Sequence, residues 1–270
     1  MDARVRVFRD LHASGCFVMP NPWDPGSARV LVQLGFPAVA TTSSGFAWSR
    51  GVADNTVPLS QVLTHLREIT AAVSVPVNAD FEGGHAPDAA AVAANVTMAC
   101  ATGVAGLSIE DSTRDPEHPL LAFDLAVARI RATRRAIDAT GTGVLLTARS
   151  EGFIVGRPDL AETIRRLTAF AEAGAECLYA PGLKTPSDIA AVVKAVAPKP
   201  VNVLVGSDFA TVNELAALGV RRLSVGGALA RTGWTAVLGA ARTLAREGKF
   251  TGFAALTSTA DMNEIFAKPS

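Results

Sequence analysis

The chain has 270 residues, of which 49% are hydrophobic, so it is long enough to bury one large core. Lys and Arg together number 25, as do Asp and Glu, and this balance argues against nonspecific nucleic-acid binding, which needs a basic surface. Because no apolar run approaches the roughly 18 residues that cross a bilayer, we expect a cytoplasmic protein with no membrane partner.

Short apolar runs alternate with longer Ala-rich segments of helical periodicity. We predict strands at residues 16–19, 38–42, 76–80, 106–110, 144–149, 177–180, 201–204 and 222–225. Most of these runs are continuously apolar, as is typical of strands that are covered on both faces. Eight such units and the absence of a GxGxxG motif favour a (β/α)₈ barrel of the TIM type over a doubly wound open sheet.

The last 20 residues depart from this alternation. We predict one barrel domain over residues 1–270, in which residues 250–270 form a C-terminal helical tail. The tail is too apolar to remain in water, because it carries Phe250, Phe253, Leu256, Met262, Ile265 and Phe266. It should therefore pack on the barrel or on a partner subunit, and we favour the partner.

Four polar residues stand at or just beyond the ends of predicted strands. They are Asp54, Asp80, Glu110 and Arg149, which are 26, 30 and 39 residues apart. In a parallel barrel the carboxyl ends of the strands meet on one face, where the active sites of this architecture lie. Three acids and a guanidinium on that face indicate a divalent cation and an anionic substrate.

Each of these residues also allows a purely structural interpretation. Strand alternation directs Asn78 and Asp80 to the same side, although the segment could simply end in a solvated turn. Glu110 is either a cation ligand together with Asp80 or a helix cap at the rim. Arg149 either binds a carboxylate or phosphonate through two parallel hydrogen bonds or forms an internal salt bridge with one of the acids.

The cysteines and histidines give no metal-ligand spacing. Cys16, Cys100 and Cys177 are widely spaced and lie in apolar stretches, so they indicate buried thiols and neither a zinc site nor a disulfide framework. His12 and His65 look like ordinary helix residues, whereas His85 and His118 lie in loops that could approach the mouth of the barrel. A charge-relay hydrolase is not indicated, because GxSxG is missing.

With these residues in place, the chain resembles the isocitrate lyase/phosphoenolpyruvate mutase superfamily across nearly its full length. The matching segments occur in family order, and the apolar tail also fits. They are Thr42-Ser-Ser44-Gly45, Gly51-Val-Ala-Asp54, Asn78-Ala-Asp80, Ile109-Glu110-Asp111, Ala148-Arg149-Ser-Glu151 and Ser224-Val-Gly-Gly-Ala228.

The resemblance implies a barrel whose Mg²⁺, which Mn²⁺ could replace, holds the carboxylate and keto oxygen of a 2-oxo acid. It implies that Asp80, Glu110 and Asp54 bind the metal or its waters and that Arg149 stabilises the oxyanion. Ser44 and the Gly45 backbone would hold the carboxylate, and Trp23 and Asp24 would help to line the pocket. Members of the family often form tetramers that exchange a C-terminal helix, which implies a homo-oligomer.

Two departures from the family pattern narrow the function. The family usually has Asp-x-Asp after the third strand, whereas Asn78 here takes the first place, so the site has one charge fewer and should bind metal more weakly. Lyases of the family also carry a Cys in the loop after Glu110 that protonates the departing product. This chain reads Ser112-Thr-Arg-Asp-Pro-Glu-His118 there, which argues against isocitrate or methylisocitrate cleavage.

These features predict a Mg²⁺-dependent lyase that cleaves a C–C bond of a small 2-oxo dicarboxylate through an enolate. Decarboxylation of an oxaloacetate-like acid is its simplest form, because CO₂ leaves without a proton donor. The alternatives are a phosphonopyruvate hydrolase or phosphonomutase, and a noncatalytic 2-oxo acid binder. The substrate's distal group would be read by loops after strands four to seven, where the candidates are His118, Arg157, Tyr179 and Asn202.

Overall fold

The computed structural model describes residues 2–268, and within them eight parallel strands form one sheet. The strands are β1 (Phe17–Met19), β2 (Val39–Ala40), β3 (Val77–Asp80), β4 (Gly106–Glu110), β5 (Leu145–Arg149), β6 (Cys177–Tyr179), β7 (Val201–Leu204) and β8 (Arg222–Ser224). Their hydrogen-bonded order is β1-β8-β7-β6-β5-β4-β3-β2. Across the remaining seam the Ala40 N–H donates to the Pro20 carbonyl at 3.0 Å. The sheet is thus a nearly closed barrel, and the predicted (β/α)₈ fold is confirmed.

Helices cover the outside of the sheet and connect its strands. They are α1 (Ala3–Ala13), α2 (Pro25–Gln33), α3 (Ser43–Ser49), α4 (Leu59–Ala72), α5 (Ala89–Cys100), α6 (Phe123–Thr140), α7 (Leu160–Glu172), α8 (Pro186–Val196), α9 (Val212–Ala217), α10 (Ala228–Glu247) and α11 (Thr259–Ala267). A short 3₁₀ helix at Thr251–Phe253 joins the last two.

The observed strands match the predicted ones in position, and most differ only at their ends. The largest difference is β2, which was predicted over residues 38–42 and ends at Ala40. It ends early because the residues that follow lead into α3 and cap its N-terminus. The Thr42 side chain accepts a hydrogen bond from the Gly45 N–H and caps that helix, as Thr does at a helix N-terminus.

Strand alternation separates the core outside the sheet from the barrel interior. Along β4 and β5, Leu107 and Leu146 point outward and join the main apolar core, which lies between sheet and helices. A second cluster, with Phe8 of α1 and Phe17 and Leu145 of the strands, fills the amino-terminal end of the interior. That end is closed by apolar packing, which leaves the carboxyl end for the polar side chains.

The segment after β8 is only loosely packed on the barrel. Ala230 is the only buried residue that α10 contains, and Trp234 and Val237 are 41% and 56% exposed. Farther on, α11 lies against α2, where Arg29 donates to the Phe266 carbonyl at 2.8 Å and Gln33 to the Ile265 carbonyl at 2.8 Å. The tail therefore contacts the barrel of its own chain, and its exchange with a partner stays a prediction.

Among the helices of residues 2–268, none combines the length and the apolar character that crossing a bilayer requires. The expected cytoplasmic location stays a prediction.

Candidate active site

A cavity of about 180 Å³ opens at the carboxyl ends of the strands. At roughly 30 Å³ of liquid volume per water molecule, it could hold a ligand of a few carbon atoms. Most of the residues that line it are polar, and all eight strands as well as the loops above them contribute to the lining. The polar residues include Asn21, Ser43, Ser44, Asp54, Asn78, Asp80, Ser108, Arg149, Tyr179, Asn202, Arg222 and Ser224.

Arg149 lies at the end of β5, where three carboxylates surround its guanidinium. Its Nη1 lies 2.6 Å from Asp80 Oδ1, its Nη2 3.1 Å from Glu110 Oε2 and its Nε 2.9 Å from Glu151 Oε1. Burial disfavours the charged form, but Glu151, Glu110 and Asp80 outweigh it and raise the pKa of Arg149 well above its usual range. The sequence allowed one internal salt bridge at this position, and the structure has three.

Asp80 is held from two further directions. Its Oδ2 accepts a hydrogen bond from the Ser43 N–H at 3.0 Å, and its own N–H donates to Thr41 Oγ1 at 2.9 Å. The hydroxyl-rich segment after β2 therefore does more than offer donors to a ligand. It fixes the carboxylate that ends β3, the strand next to β2.

Asp54 and Glu82 add negative charge beside Asp80. Burial, followed by the charge of Asp80, raises the pKa of Asp54. Burial also raises the pKa of Glu82 to about 7, although Arg114, its ion-pair partner, opposes the shift. Each carboxylate makes its neighbour harder to ionise, so this part of the mouth has more carboxyl groups than its arginines can keep ionised, and a cation would favour their charged forms.

Glu110 and Glu151 are both buried, and burial raises the pKa of each carboxyl. A second ion pair behind them fixes the chain. Asp111 Oδ1 accepts the Glu151 N–H at 2.8 Å, while Asp111 Oδ2 lies 3.0 Å from Arg166 Nη1. The two adjacent acids where β4 ends thus have different roles, since Glu110 reaches Arg149 and Asp111 holds the loop after β5.

The carboxylate oxygens at the mouth are suitable ligands for a hard divalent cation. Within residues 2–268 no three His, Cys, Asp or Glu side chains form a ready-made metal cluster, but Mg²⁺ is usually held by one or two carboxylates together with water and substrate oxygens. Asp80 keeps free lone pairs beside those used by Arg149 and Ser43, and the neighbouring carboxyls of Asp54 and Glu82 favour a cation. Asp80 and Asp54 would hold it, with Glu82 and Glu110 reaching its waters.

Asn78, which was also predicted to be a metal ligand, lies one pleat below Asp80. Its Oδ1 is buried and has no hydrogen-bond donor among the described residues. That oxygen fills the space above Gly106 on β4, where an added Cβ would come within 2.7 Å of it. Asn78 therefore lies at the floor of the cavity, and its metal role stays a prediction.

The structure brings most of the predicted site residues to one cavity. Asp54, Asp80, Arg149, Ser44, Asn78 and Asn202 line it, and Glu110 contacts Arg149 at its edge. Three predicted residues lie elsewhere. The His118 side chain is 81% exposed and pairs with Asp115, and Trp23 lines a separate apolar pocket beside Phe266. Gly45 packs between Thr42, Trp23 and Ala230, with no room for a Cβ.

The sequence pattern did not identify two residues that lie in or beside the cavity. Glu82 follows Asp80 by two residues, and a carboxylate before Gly83-Gly84 was a readable signal. Arg222 shares the inward face of β8 with Ser224 and reaches the cavity floor. A charged residue at an inward strand position is unusual, because barrel interiors are dominated by Val, Ile and Leu.

Thiols, in contrast, are absent from the part of the cavity that the structure describes. Cys16 is half-buried beside Arg221, and Cys100 is buried at the end of α5. Cys177 packs in the apolar cluster at the amino-terminal end of the barrel. None of the three lines the cavity.

The chain is similar to several known proteins. A family model described as phosphoenolpyruvate phosphomutase matches residues 8–245. An uncharacterized protein of Mycobacterium tuberculosis is 32% identical over 237 residues, 87% of each chain. An oxaloacetate decarboxylase of Paraburkholderia xenovorans is 28% identical over 207 residues, which cover 72% of this chain and 66% of the relative.

Two solved structures extend the comparison. A protein of Burkholderia cenocepacia, provisionally assigned as a lyase/mutase, is 44% identical with a TM-score of 0.96, and the match covers 99% of this chain and 97% of the other. A phosphonopyruvate hydrolase in complex with oxalate and Mg²⁺ is 28% identical with a TM-score of 0.84, over 98% of this chain and 95% of the other.

Proposed function

The chain belongs to the phosphoenolpyruvate phosphomutase family, within the isocitrate lyase/phosphoenolpyruvate mutase superfamily of lyases and mutases, and on that premise we propose that it is a Mg²⁺-dependent carbon–carbon lyase. Its substrate would be a small 2-oxo dicarboxylate. Decarboxylation of an oxaloacetate-like acid is the simplest form of the reaction.

The observation that carries the proposal is the contrast between carboxylates and thiols at the cavity. Asp54, Asp80 and Arg149 line it, whereas the three cysteines lie outside it. A cleavage whose leaving group must be protonated by a thiol has no donor there. Loss of CO₂ requires no such donor, and it leaves an enolate whose negative charge a carboxylate-held cation suits.

A bound Mg²⁺ would supply positive charge to stabilise the oxygen of the 2-oxo group as the bond to the departing carboxylate breaks. The protein's own side chains would position the charged groups around the reacting atoms. Arg149 holds Asp80, Glu110 and Glu151 within about 3 Å of its nitrogens and keeps three like charges together in a buried mouth. Because these ion pairs hold the carboxylates in place, little reorganisation would be needed at the moment of reaction.

The same family relationship supports a homo-oligomer that assembles through the C-terminal segment. Exposed apolar residues on α10 would be covered by a second copy, because exposing several large apolar side chains on one helix is unfavourable in water. These residues are Trp234, Val237, Leu238 and Leu244. Sedimentation of the full chain beside Trp234→Glu would test the proposal, since a wild-type monomer contradicts it.

Carbon–phosphorus chemistry is the second candidate function. Its support is the similarity to the phosphonopyruvate hydrolase along 98% of this chain. Phosphonopyruvate turnover with phosphate or phosphoenolpyruvate as the product, without oxaloacetate turnover, would favour it. Thermal stabilisation by 2-oxo acids without turnover would instead identify a noncatalytic binder.

The direct experiment is an oxaloacetate decarboxylation assay with added Mg²⁺ or Mn²⁺. We expect turnover that a chelator abolishes, and a loss of about 100-fold to 1000-fold in kcat/KM on Asp80→Ala, because a group that positions charge at the reacting centre is removed. Asp10→Ala, on the exposed face of α1, is the matched control. Turnover that survives chelation or Asp80→Ala contradicts the proposed mechanism.

A further inference from the structure

Arg222 is a cation buried inside the barrel. It is 1% exposed at the start of β8, and within residues 2–268 no carboxylate forms a salt bridge with it. Its neighbours are neutral acceptors. Nε donates to Asn202 Oδ1 at 2.9 Å, and Nη2 donates to Thr147 Oγ1 at 3.0 Å. Because arginine stays protonated in proteins, a full positive charge lies inside the barrel.

His12 of α1 contacts Arg222 but does not supply the missing charge. Its Nδ1 lies 2.7 Å from the Phe8 carbonyl, which can only accept, so Nδ1 carries the proton. The neutral ring then presents the lone pair of Nε2 to Arg222 Nη1 at 3.2 Å. Burial, helped by Arg222, lowers the pKa of His12 to about 3, which agrees with a neutral ring.

The contacts use only part of the guanidinium. Arginine has five N–H donors, and the contacts to Asn202, Thr147 and His12 use three of them. Two N–H groups have no acceptor among the described residues, and Arg222 lines the cavity. Isolated buried charges are costly unless they are paired, so the floor of the cavity has both an unbalanced charge and free donors.

The free donors lie below the charged mouth. Arg222 bonds Thr147, which precedes Arg149 by two residues on β5. Two residues along a strand span about 6.6 Å. A ligand that engages the carboxylate-rich mouth with one end can therefore reach Arg222 with a short carbon chain.

We propose that Arg222 forms an anion-binding subsite at the floor of the cavity, with Asn202 and Thr147 fixing its guanidinium, and that this subsite takes one carboxylate of the ligand. The identity of the ligand as a 2-oxo dicarboxylate rests on the proposed function.

The first test uses formate as the probe, in the presence of a chelator and without substrate. Formate should raise the melting temperature of the wild type by about 2 °C or more at saturating concentrations. Arg222→Met should show only the salt effect common to all variants, and Arg222→Lys should keep part of the response. Arg221→Met is the matched control, because that neighbour is partly exposed and bonds the Gly15 carbonyl instead. Equal responses of wild type and Arg222→Met overturn the proposal.

A second measurement needs no folded variant. Wild-type crystals soaked in sodium bromide should show anomalous density against the free side of the Arg222 guanidinium, and its absence there counts against the subsite. With oxaloacetate, Arg222→Met should raise KM on the order of 100-fold and change kcat far less. Inactive wild type with an Arg222-dependent formate response would refute the proposed function and leave the subsite standing.

Discussion

Two buried arginines lie in the interior of the same barrel, and their surroundings are opposite. Arg149 at the mouth has three carboxylates within about 3 Å, whereas the acceptors that Arg222 contacts at the floor, in the described part of the chain, are all neutral. Correspondingly, the pKa of Arg149 is raised, while burial lowers the pKa of Arg222. The mouth has more carboxylates than cations and can bind a cation, whereas the floor has an unpaired positive charge and can bind an anion.

The largest expected effect comes from removing the paired arginine. Arg149→Met leaves Asp80, Glu110 and Glu151 without their shared cation, and breaking a buried ion pair in this way costs about 3–5 kcal/mol of unfolding free energy. Urea denaturation would measure the loss, with Arg157→Met on the exposed loop as the control. Stability equal to that of the wild type would mean that the three contacts contribute little.

Removing the unpaired arginine should affect stability less. Arg222→Met relieves a buried charge without stranding another, and this relief offsets part of the cost of the donors that Asn202, Thr147 and His12 lose, about 1–3 kcal/mol for each acceptor left unsatisfied. The same urea series should therefore place Arg222→Met clearly between wild type and Arg149→Met. A loss for Arg222→Met as large as that for Arg149→Met would remove the contrast between mouth and floor.

A smaller expected effect is the change of the unfolding free energy with pH. Burial raises the pKa of Glu82 to about 7, against an ordinary value of 4.5, and the shift for Glu110 has the same direction. Between pH 4.5 and about pH 7 these carboxyls keep protons in the folded protein that the unfolded chain has already released. Their contribution to stability is therefore lost as the pH rises through that range. Without bound cation, the unfolding free energy should fall over this range, and less so for Glu82→Gln.

The smallest expected effect is the release of protons when the protein binds a metal ion. A divalent cation favours ionised carboxylates, so Mg²⁺ should release a fraction of a proton near pH 7. Calorimetric titration in two buffers of different ionisation enthalpy measures it. Glu82→Gln should release less, and proton uptake would contradict the assignment of these carboxyls to the cation.

The barrel and the mouth could be predicted from the sequence because both follow from periodicity. Continuous apolar runs predicted the strands, and their ends placed Asp80, Glu110 and Arg149 on one face. The partners of Arg149 could not be predicted, because one strand-end position is compatible with a ligand and with an ion pair.

The floor of the cavity was less accessible to sequence reasoning. Alternation with Ser224 directs Arg222 inward, which was a readable signal. Its neutral surroundings, however, depend on His12, which is 210 residues away in the sequence. Such a contact arises only when α1 closes the amino-terminal end of the barrel, and no local pattern encodes it.

The most direct test of the proposed site is a crystal structure of the wild type with Mg²⁺ and oxalate, a mimic of the pyruvate enolate. We predict one cation about 2.1 Å from a carboxylate oxygen of Asp80, with oxalate completing its coordination inside the cavity. A cavity that binds neither, or a cation bound away from Asp80 and Asp54, would contradict the account.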